Sequence, residues 1–570
     1  RYWRDWSSDV CSSDLMVNKP PVPGCYRPLE NHLLQLADMY LTLNQYHKIL
    51  HWFNEEGTFL VALGADGAPF GKDETATAFL ISFLNILDGV QSCNNNFLLM
   101  GVNCDETDPL MFAYTNHLFQ EMKQIEGKKY KVKGKDVKFQ CKMIPSDQKW
   151  IASMAGELNN AAKYFSSYGN VSKDDLMTIG GTLGIGPDST WKPWNYERRL
   201  KDAQAVSDFK RKKKIEEFSK NRNDRSKVTT FISSIGSRQE FVPYLEMYVD
   251  EVKPEPLHNT NNAWQAWNSD ILTSAMKMTG NQDLAKANGN IDALSRQSAL
   301  AKYLSCLEGT MKATRLAKNV RKWFAERNEK SNKNFQYRFT GKESKIFCWY
   351  FAYLCKELKN TTGITQSMLC HVTSLAYSGL CLRNSVALYS RVHITEADID
   401  TLHKQCELYF NCQVLMLGKT TPTAWTIGKA IPYYTSELHK ELGYGLGLNS
   451  MQGREAKHAR LSSYSQNTTR GKRLRWWQIF KHEYMETIWL RLHEPTNLSY
   501  RRGCVVGDEA PRPVKKELYI PSWCNSTSFC YCGLPLLEAK CDICNSEMFK
   551  LIKESCENGK VNGLLKSILK

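Results

Sequence analysis

The sequence predicts a mixed α/β fold: a core of strands and helices, interrupted by a long, mostly α-helical insertion and followed by a small cysteine-rich tail. Three observations support this fold class. Residues 58–165 carry the pattern strand, strand, strand, helix, strand, helix. Residues 240–440 show mainly helical spacing of apolar residues, and the residues after 520 are rich in cysteine. Because 570 residues exceed the usual size of one domain, we expect several domains.

Two segments precede the predicted core. Residues 1–15 have no hydrophobic period, and their last part, "DWSSDVCSSDL", looks like the translation of a sequencing adapter, so we interpret them as an adapter-derived artefact. Residues 16–56 form a predicted N-terminal helical segment, because residues 27–52 carry apolar side chains at helical spacing. The first part of the core is assigned to residues 57–170.

Two aspartates follow strands of the predicted core. Asp66 comes directly after the apolar run in "FLVALGADG", and Asp147 follows the fourth strand in "KMIPSDQKW". In α/β sheets the ends of strands open onto a crevice where ligands bind, so the matching placement of these carboxylates indicates a site for chemistry. The structural alternatives are local, since Asp66 suits a turn and Asp147 suits a helix N-cap.

The composition indicates an anionic partner and gives no sign of a membrane-spanning segment. The formal net charge of +16 favours nucleic acid or a membrane surface, although many basic proteins bind neither. No apolar run approaches the roughly twenty residues that cross a bilayer. The residues after Met16 lack the apolar core of a signal peptide, so we expect a nuclear or cytoplasmic protein.

Five segments, in order along the chain, resemble the catalytic core of the V(D)J recombinase and its Transib-type transposase relatives. They are "FLVALGADGAP", "GVNCDETDPLMFAY", "KDVKFQCKMIPSDQKWIASMAGEL", the helical stretch 241–267, and "TAWTIGKAIPYYTSELHKELGYGLGLNSMQGREAKHARLSSYS". The first and third segments carry Asp66 and Asp147, and the family's third acid falls on Glu455. No single motif is specific, and the ordered series carries the resemblance.

The resemblance implies an RNase H-like catalytic core. Its acidic helix, within residues 441–500, is separated from the first part by a basic and helical insertion at residues 171–440. The implied function is that of a nuclear DDE-type DNA transposase or recombinase. Asp66, Asp147 and Glu455 would bind two Mg²⁺ or Mn²⁺ ions, which prefer oxygen ligands, for DNA cleavage and 3′-OH strand transfer. The implied partners are double-stranded DNA, at element ends and target, a second copy in a homodimer, and an accessory subunit.

Two other functions remain open. A domesticated or inactive transposase-derived protein would bind DNA without cutting it, although the presence of all three acids argues against decay. A metal-dependent nuclease would cut DNA without joining it.

The sequence also departs from the family, because no cysteine pair follows Asp147, and Trp425 and Ala430 stand where two zinc-binding histidines would fall.

Basic stretches supply the candidate DNA contacts, because lysine and arginine bind phosphates. The candidates are Lys212, Lys213, Arg321, Lys322, Arg454, Lys457, Arg473, Arg475 and Trp476. Trp476, in "RGKRLRWWQIFK", would stack on an extruded base; the alternative is that it packs in the core below a basic face. The "KRKKK" run is either a nuclear import signal or a solvated helix face.

The tail, residues 501–570, is predicted to be a linker followed by a zinc-knuckle-like segment. Four cysteines form a Cys-x-Cys pair and a Cys-x-x-Cys pair, the arrangement by which two turns grip a tetrahedral structural zinc ion. These are Cys530, Cys532, Cys541 and Cys544, with Cys524 as a substitute ligand. The alternative is a set of reduced thiols without metal.

Overall fold

The computed structural model describes residues 22–67, 75–327, 335–468, 472–501, 529–536 and 541–569. The chain divides into two compact units. The first, here called the sheet unit, comprises Arg1–Asp175, Leu183–Pro256 and Ser436–Ala510. The second, the helical unit, comprises Leu176–Thr182, Leu257–Thr435 and Pro511–Lys570. Residues 183–256, which the sequence assigned to the insertion, therefore belong with the sheet.

The sheet unit contains a six-stranded mixed sheet with the order β1-β4-β3-β2-β6-β5. The strands are β1 (Gly24–Tyr26), β2 (Thr58–Gly67), β3 (Thr77–Phe83), β4 (Phe97–Val102), β5 (Tyr130–Val132) and β6 (Lys135–Met143). β3 is antiparallel to both β2 and β4, whereas β2 and β6 are parallel. The C-terminal ends of β2, β4 and β6 consequently lie at the same edge of the sheet.

The central strands are buried on both faces. Every residue of β2 except Gly67 is buried, as is every residue of β3 and β4. Such strands read as nearly continuous apolar runs, which is why the sequence revealed them. On one face the rings of Phe59, Phe83 and Phe139 contact one another, with centroids 4.5 to 6.1 Å apart.

Helices cover the sheet. In the sheet unit they are α1 (Leu29–His47), α2 (Pro109–Ile125), α3 (Gln148–Met154), α4 (Tyr196–Lys213), α5 (Arg222–Ser234), α15 (Gln452–Gln466), α16 (Lys472–Tyr484) and α17 (Leu490–His493). Asp108 is the N-cap of α2, because its carboxylate accepts a hydrogen bond from the Leu110 amide at 2.9 Å.

One predicted helix is shorter than its pattern. The sequence predicted a helix through "KWIASMAGELNNAAKYF", but α3 ends at Met154. Gly156 adopts a φ of 71°, and a Cβ there would lie 2.5 Å from the carbonyl oxygen of Phe241. The helix stops because a distant segment approaches the backbone at a position that only glycine fits.

The segment after α3 is held by the buried ion pairs of Glu157. Glu157 contacts Arg238 (Nε to Oε2, 2.8 Å) and Arg199, and it accepts a hydrogen bond from the Ser167 hydroxyl at 2.6 Å. Burial alone would raise the pKa of Glu157, but the two guanidinium groups outweigh burial and lower that pKa.

The helical unit is built almost entirely of helices, as predicted. They are α6 (Pro256–Thr279), α7 (Asn281–Lys286), α8 (Ala299–Ser305), α9 (Thr314–Arg327), α10 (Gly341–Lys359), α11 (Gln366–Tyr389), α12 (Glu396–Leu415), α13 (Pro422–Trp425), α18 (Glu547–Glu557) and α19 (Gly563–Leu569); α14 (Ile431–Leu442) contains the boundary between the units. Its core includes the rings of Trp264, Trp267, Phe347 and Phe351. Among the described residues, we find no helix with the length and apolarity needed to cross a membrane.

Candidate metal centre at the sheet edge

Asp66 lies at the end of β2, where it pairs in register with Ala78 of β3. The loop after β6 passes close by: a Cβ on Gly64 would lie 2.0 Å from the Pro145 carbonyl oxygen. The Ser146 hydroxyl accepts a hydrogen bond from the Ala65 amide at 3.2 Å. The parallel pairing of β2 and β6, together with this close approach, carries the residue after Ser146 to the side of Asp66.

That residue is Asp147, which is half-buried and is the N-cap of α3. Its carboxylate accepts a hydrogen bond from the Trp150 amide at 2.7 Å, so the structural alternative for Asp147 is fulfilled. The cap does not exclude a second role, because a carboxylate has more than two lone pairs. Ligand oxygens of Asp66, Asp147 and Glu106 lie within 4.8 Å of one another.

Glu455 reaches the same aspartate from α15. The start of this helix packs tightly on the segment before β4, since a Cβ on Gly453 would lie 2.5 Å from the Val90 carbonyl oxygen. Glu455 stands in the first turn, where the helix dipole favours a negative charge. One ligand atom each from Asp66, Glu455 and His458 lie within 4.8 Å of one another. The three acids selected from the sequence therefore meet through Asp66.

Arg454 anchors α15 to the sheet, which corrects its predicted role in DNA binding. Its side chain is 2% exposed. The guanidinium donates to the carbonyl oxygens of Leu80 (2.8 Å), Ala62 (3.0 Å) and Gly64 (3.2 Å) and to the Ser82 hydroxyl. Burial lowers the pKa of Arg454 to about 9. A buried guanidinium that satisfies strand carbonyls is not available to a phosphate, and its task is to hold the neighbouring Glu455 at the sheet edge.

Lys457 is a second correction, because it is fully buried in an ion cluster and cannot reach DNA. Its ammonium lies 3.0 Å from Glu483 Oε1, and Arg27 lies 3.0 Å from Glu483 Oε2. Burial would raise the pKa of Glu483, but Lys457 and Arg27 outweigh burial and lower it to about 2. We call Arg27, Lys457 and Glu483 the ion cluster; it joins α15 to α16 and to the residues before α1.

Trp476 is a third correction, in favour of the core alternative. Its indole is 0% exposed and packs with Leu80, Leu98 and Ile479. The indole N–H donates to the Asn103 side chain at 2.7 Å, and a Cβ on Gly101 would lie 2.0 Å from the ring. A ring enclosed in this way has no open face on which a base could stack.

The other predicted DNA contacts remain predictions. Lys212 and Lys213 are exposed at the end of α4, and Arg475 is half-buried in α16. Arg321 contacts Glu308 and Asp292, and Lys322 contacts Glu326, on or near α9 of the helical unit. The backbone of Arg473 belongs to α16, whereas its side chain lies outside the described residues.

Two residues of the centre were missed by the sequence analysis. Glu106 follows β4, and because β4 runs parallel to β2, the rule that selected Asp66 and Asp147 would have found it once the strand order was known. His458 stands three residues after Glu455, and residues at this spacing share one face of a helix. We call Asp66, Glu106, Asp147, Glu455 and His458 the acid cluster.

The carboxylates of the acid cluster affect one another. Glu106 is 8% exposed and contacts the ammonium of Lys149. Its pKa is raised, first by burial and then by the negative charges of Asp147 and Asp66, against the opposing effect of Lys149. Carboxylates whose oxygens lie within 4.8 Å of one another repel, and a bound cation relieves that repulsion. Carboxylate oxygens are the ligands that Mg²⁺ and Mn²⁺ prefer. The acid cluster therefore fits a divalent ion.

A second possible metal site lies in the tail, where the predicted cysteines meet. Sulfur atoms of Cys530, Cys532, Cys541 and Cys544 lie within 4.8 Å of one another, and those of Cys532 and Cys541 are 3.7 Å apart. Four ligands at about 2.3 Å in a tetrahedron stand about 3.8 Å apart, so this spacing suits a bound ion. Cys524, the substitute ligand, lies outside the described residues.

The cysteine cluster is docked on the helical unit. Arg383 of α11 donates to the Tyr531 carbonyl oxygen at 2.7 Å, and Lys356 of α10 lies 3.1 Å from the Asp542 carboxylate. Further along the tail, the side-chain amide of Asn411 donates to the Cys556 carbonyl oxygen at 2.9 Å.

Comparison of the chain with protein-family models and with curated proteins finds no match.

Proposed function

We propose that this protein is a DNA transposase or recombinase of the DDE class, which cleaves DNA ends and transfers the 3′-OH with two bound metal ions. One observation carries the proposal: ligand oxygens of Asp66 lie within 4.8 Å of those of Asp147 and also of Glu455, although the three acids are far apart along the chain. Each acid comes from an element whose position is fixed by tertiary contacts, so the meeting point is a property of the fold.

The strand arrangement supports an RNase H-like core as part of this proposal. Three antiparallel strands, β2, β3 and β4, are followed by a helix and by β6, which pairs in parallel with β2. The first acid is on β2, the second follows β6, and the third is on a helix after the insertion. This is the order that the resemblance to Transib-type transposases implies.

The chemistry requires positioned charge more than reactive side chains. Divalent ions held by Asp66, Asp147 and Glu455 would activate the attacking oxygen and stabilise the leaving one in phosphoryl transfer. The contribution of the chain is to hold its carboxylates in place before substrate arrives. Arg454 does this for Glu455 through its bonds to β2 and β3, and the ion cluster does it for α15.

Exposed cations would hold the DNA. Lys212 and Lys213 lie in a run of four consecutive exposed residues, 211–214, which are all arginine or lysine. Binding there would release counterions and depend on salt. We propose double-stranded DNA, at element ends and target, as the substrate, and the nucleus as the location of the protein. We propose a homodimer as the active form, because paired ends require two active sites.

We further propose that the cysteine cluster binds one structural Zn²⁺. Four thiolates complete a tetrahedral shell and leave no position for substrate. The residues around the cysteines contact α10 and α11. A zinc ion bound by the cysteines would therefore fix the tail to the helical unit and take no part in catalysis.

The proposal is tested with the whole protein, Mg²⁺ and labelled duplexes made from the sequences that flank the coding region. One duplex is intact across the expected cleavage site. The other ends in a pre-cut 3′-OH and is mixed with a supercoiled plasmid as the target DNA. We expect cleavage of the first and joined product from the second, both absent in Asp66→Asn. Binding without cleavage would favour the domesticated protein, and cleavage without joining would favour the nuclease.

A further inference from the structure

His458 is buried beside Asp66 with neither ring nitrogen in a normal hydrogen bond. The side chain is 6% exposed. Nδ1 lies 3.5 Å from Asp66 Oδ2, longer than the 2.7–3.2 Å typical of such bonds. Nε2 is enclosed and has no hydrogen-bond partner among the described residues. The two nitrogens point to different sides of the ring, and Nδ1 is the one that faces the carboxylates. Burying Nδ1 there without a hydrogen bond of normal length costs free energy, which a ligand at this nitrogen would relieve.

The geometry around His458 fits a metal ion. Ligands that bind an ion at about 2.1 Å in adjacent octahedral positions are about 3.0 Å apart, and those of a tetrahedral ion about 3.4 Å apart. The observed 3.5 Å between Nδ1 and the Asp66 carboxylate is close to this range. Glu455, three residues earlier on the same helix face, brings its carboxylate within 4.8 Å of the same two groups.

We propose that His458 is a nitrogen ligand of the ion held between Asp66 and Glu455. The inference rests on the proposed metal centre and adds a difference between its two ion positions. The position formed by Asp66, Asp147 and Glu106 offers oxygen ligands alone, whereas the position formed by Asp66, Glu455 and His458 offers oxygen and nitrogen.

The difference predicts metal selectivity. An all-oxygen site suits Mg²⁺, whereas an imidazole ligand favours ions later in the divalent series, beginning with Mn²⁺. The protein would then bind Mn²⁺ at the His458 position more tightly than Mg²⁺. The fold orients the ring for this task, because Arg454 and Lys457 fix the turn of α15 on which His458 stands.

The test loads the zinc-replete protein with Mn²⁺ alone, without DNA, and records the pulsed electron paramagnetic resonance spectrum. A directly bound imidazole gives a ¹⁴N coupling, which we expect in the wild type and not in His458→Asn. The substitution should also weaken Mn²⁺ binding by roughly tenfold to a hundredfold, and Mg²⁺ binding by less than about threefold. The matched control is His493→Asn, at an exposed histidine of α17, which should retain the coupling.

The absence of ¹⁴N coupling in the wild type would overturn the proposal, and this measurement does not depend on whether a variant folds. Persistence of the coupling in His458→Asn would overturn it too, since another nitrogen would then be the ligand. Failure of the proposed function is distinguishable: a protein with the coupling that neither cuts nor joins DNA would refute the transposase, and a transposase with an all-oxygen Mn²⁺ site would refute the role of His458.

Discussion

The acid cluster and the ion cluster are two groups of charged residues that share helix α15, and they are built in opposite ways. In the ion cluster, Glu483 meets two cations, at 3.0 Å each. In the acid cluster, Asp66 meets other carboxylates, with ligand atoms within 4.8 Å. Helix α15 serves both, because Lys457 belongs to one and Glu455 to the other.

The difference separates opposite charges that satisfy one another from like charges that lie close together. Two like charges within 4.8 Å of each other repel by at least roughly 3 kcal/mol at an effective dielectric constant of about 20, whereas the opposite charges of the ion cluster attract. On the proposed function, a divalent cation bound at the sheet edge would relieve this repulsion. Neutralising a carboxylate should therefore have opposite effects on stability in the two clusters.

The largest effect is expected for Asp66→Asn. The variant removes a charge shared by both proposed ion positions, so DNA cleavage should fall by at least about a thousandfold. Without divalent ions, the free energy of unfolding should stay unchanged or rise, because repulsion with Asp147 and Glu455 is removed. Urea denaturation and a cleavage assay check both outcomes. A loss of stability comparable to that of an ion-cluster variant would remove the distinction between the clusters.

Glu483→Gln should have the opposite signature. Loss of the carboxylate leaves Lys457 and Arg27 buried without their partner, which should lower the free energy of unfolding by about 3–5 kcal/mol. The matched control is Glu486→Gln, at a half-exposed ion pair with Arg460, where about 0–1 kcal/mol is expected. Equal effects of the two substitutions, measured by denaturation in urea, would contradict the role assigned to the ion cluster.

Acid should weaken the ion cluster in a defined pH range. The folded pKa of Glu483 is about 2, below its ordinary value of 4.5, because the nearby cations outweigh burial. Its contribution is therefore fully present above about pH 4.5 and is lost as the pH falls toward 2; the two values correspond to roughly 3 kcal/mol. The difference in unfolding free energy between wild type and Glu483→Gln should shrink over this range. A difference that is independent of pH would refute this assignment.

The sequence predicted the parts of this fold that depend on local pattern. The buried strands β2, β3 and β4, which have long apolar runs, were found. So were β6, whose apolar residues alternate with polar ones, and the helices with clear spacing. The strands β1 and β5 have three residues each, too few to show a period, and exist because a neighbouring strand offers an edge. The early end of α3 depends on the carbonyl of Phe241, which no local window contains.

The candidate site divides in the same way. Asp66 and Asp147 were selected because each follows a strand, but Glu106 needed the strand order, which is a tertiary property. The stretch around Glu455 carries cations on several sides, so no local pattern distinguishes the cations that face the sheet from those that face solvent. Arg454 and Lys457 were therefore interpreted as DNA contacts, whereas docking of the helix buries both.

The cysteine cluster is a third group of ionisable side chains. Loss of one of its cysteines should have a smaller and more local effect than a substitution in the acid cluster or the ion cluster. If it holds zinc, the purified protein should contain one zinc ion per chain, and Cys541→Ser should lose it. The tail should then become susceptible to proteolysis, while unfolding of the sheet unit and Mn²⁺ binding at the acid cluster stay unchanged. Lys550→Ala, at an exposed residue of the neighbouring helix α18, is the control. Full zinc content in Cys541→Ser would contradict the four-cysteine site.

The smallest effect is expected at exposed cations that await an external anion. Lys212→Ala/Lys213→Ala should lower DNA affinity by a similar factor for every sequence, and should reduce the slope of log affinity against log salt by about 2. Lys131→Ala/Lys135→Ala, two exposed lysines of the β5–β6 hairpin, form the control. An unchanged salt slope, measured by fluorescence anisotropy, would exclude Lys212 and Lys213 from the interface.

The ion cluster also has a consequence for biosynthesis. Arg27 precedes Glu483 by 456 residues, and at about 5–20 residues per second the ribosome needs roughly 20 to 90 s to make the intervening chain. For most of that time the nascent chain holds Arg27 without the carboxylate that makes its burial tolerable, and Gly101 without the indole that covers it, because Lys457 precedes Glu483 by only 26 residues. The sheet unit is thus expected to close late, after the residues through Glu483 have left the ribosome, which gives chaperones a long period in which to act.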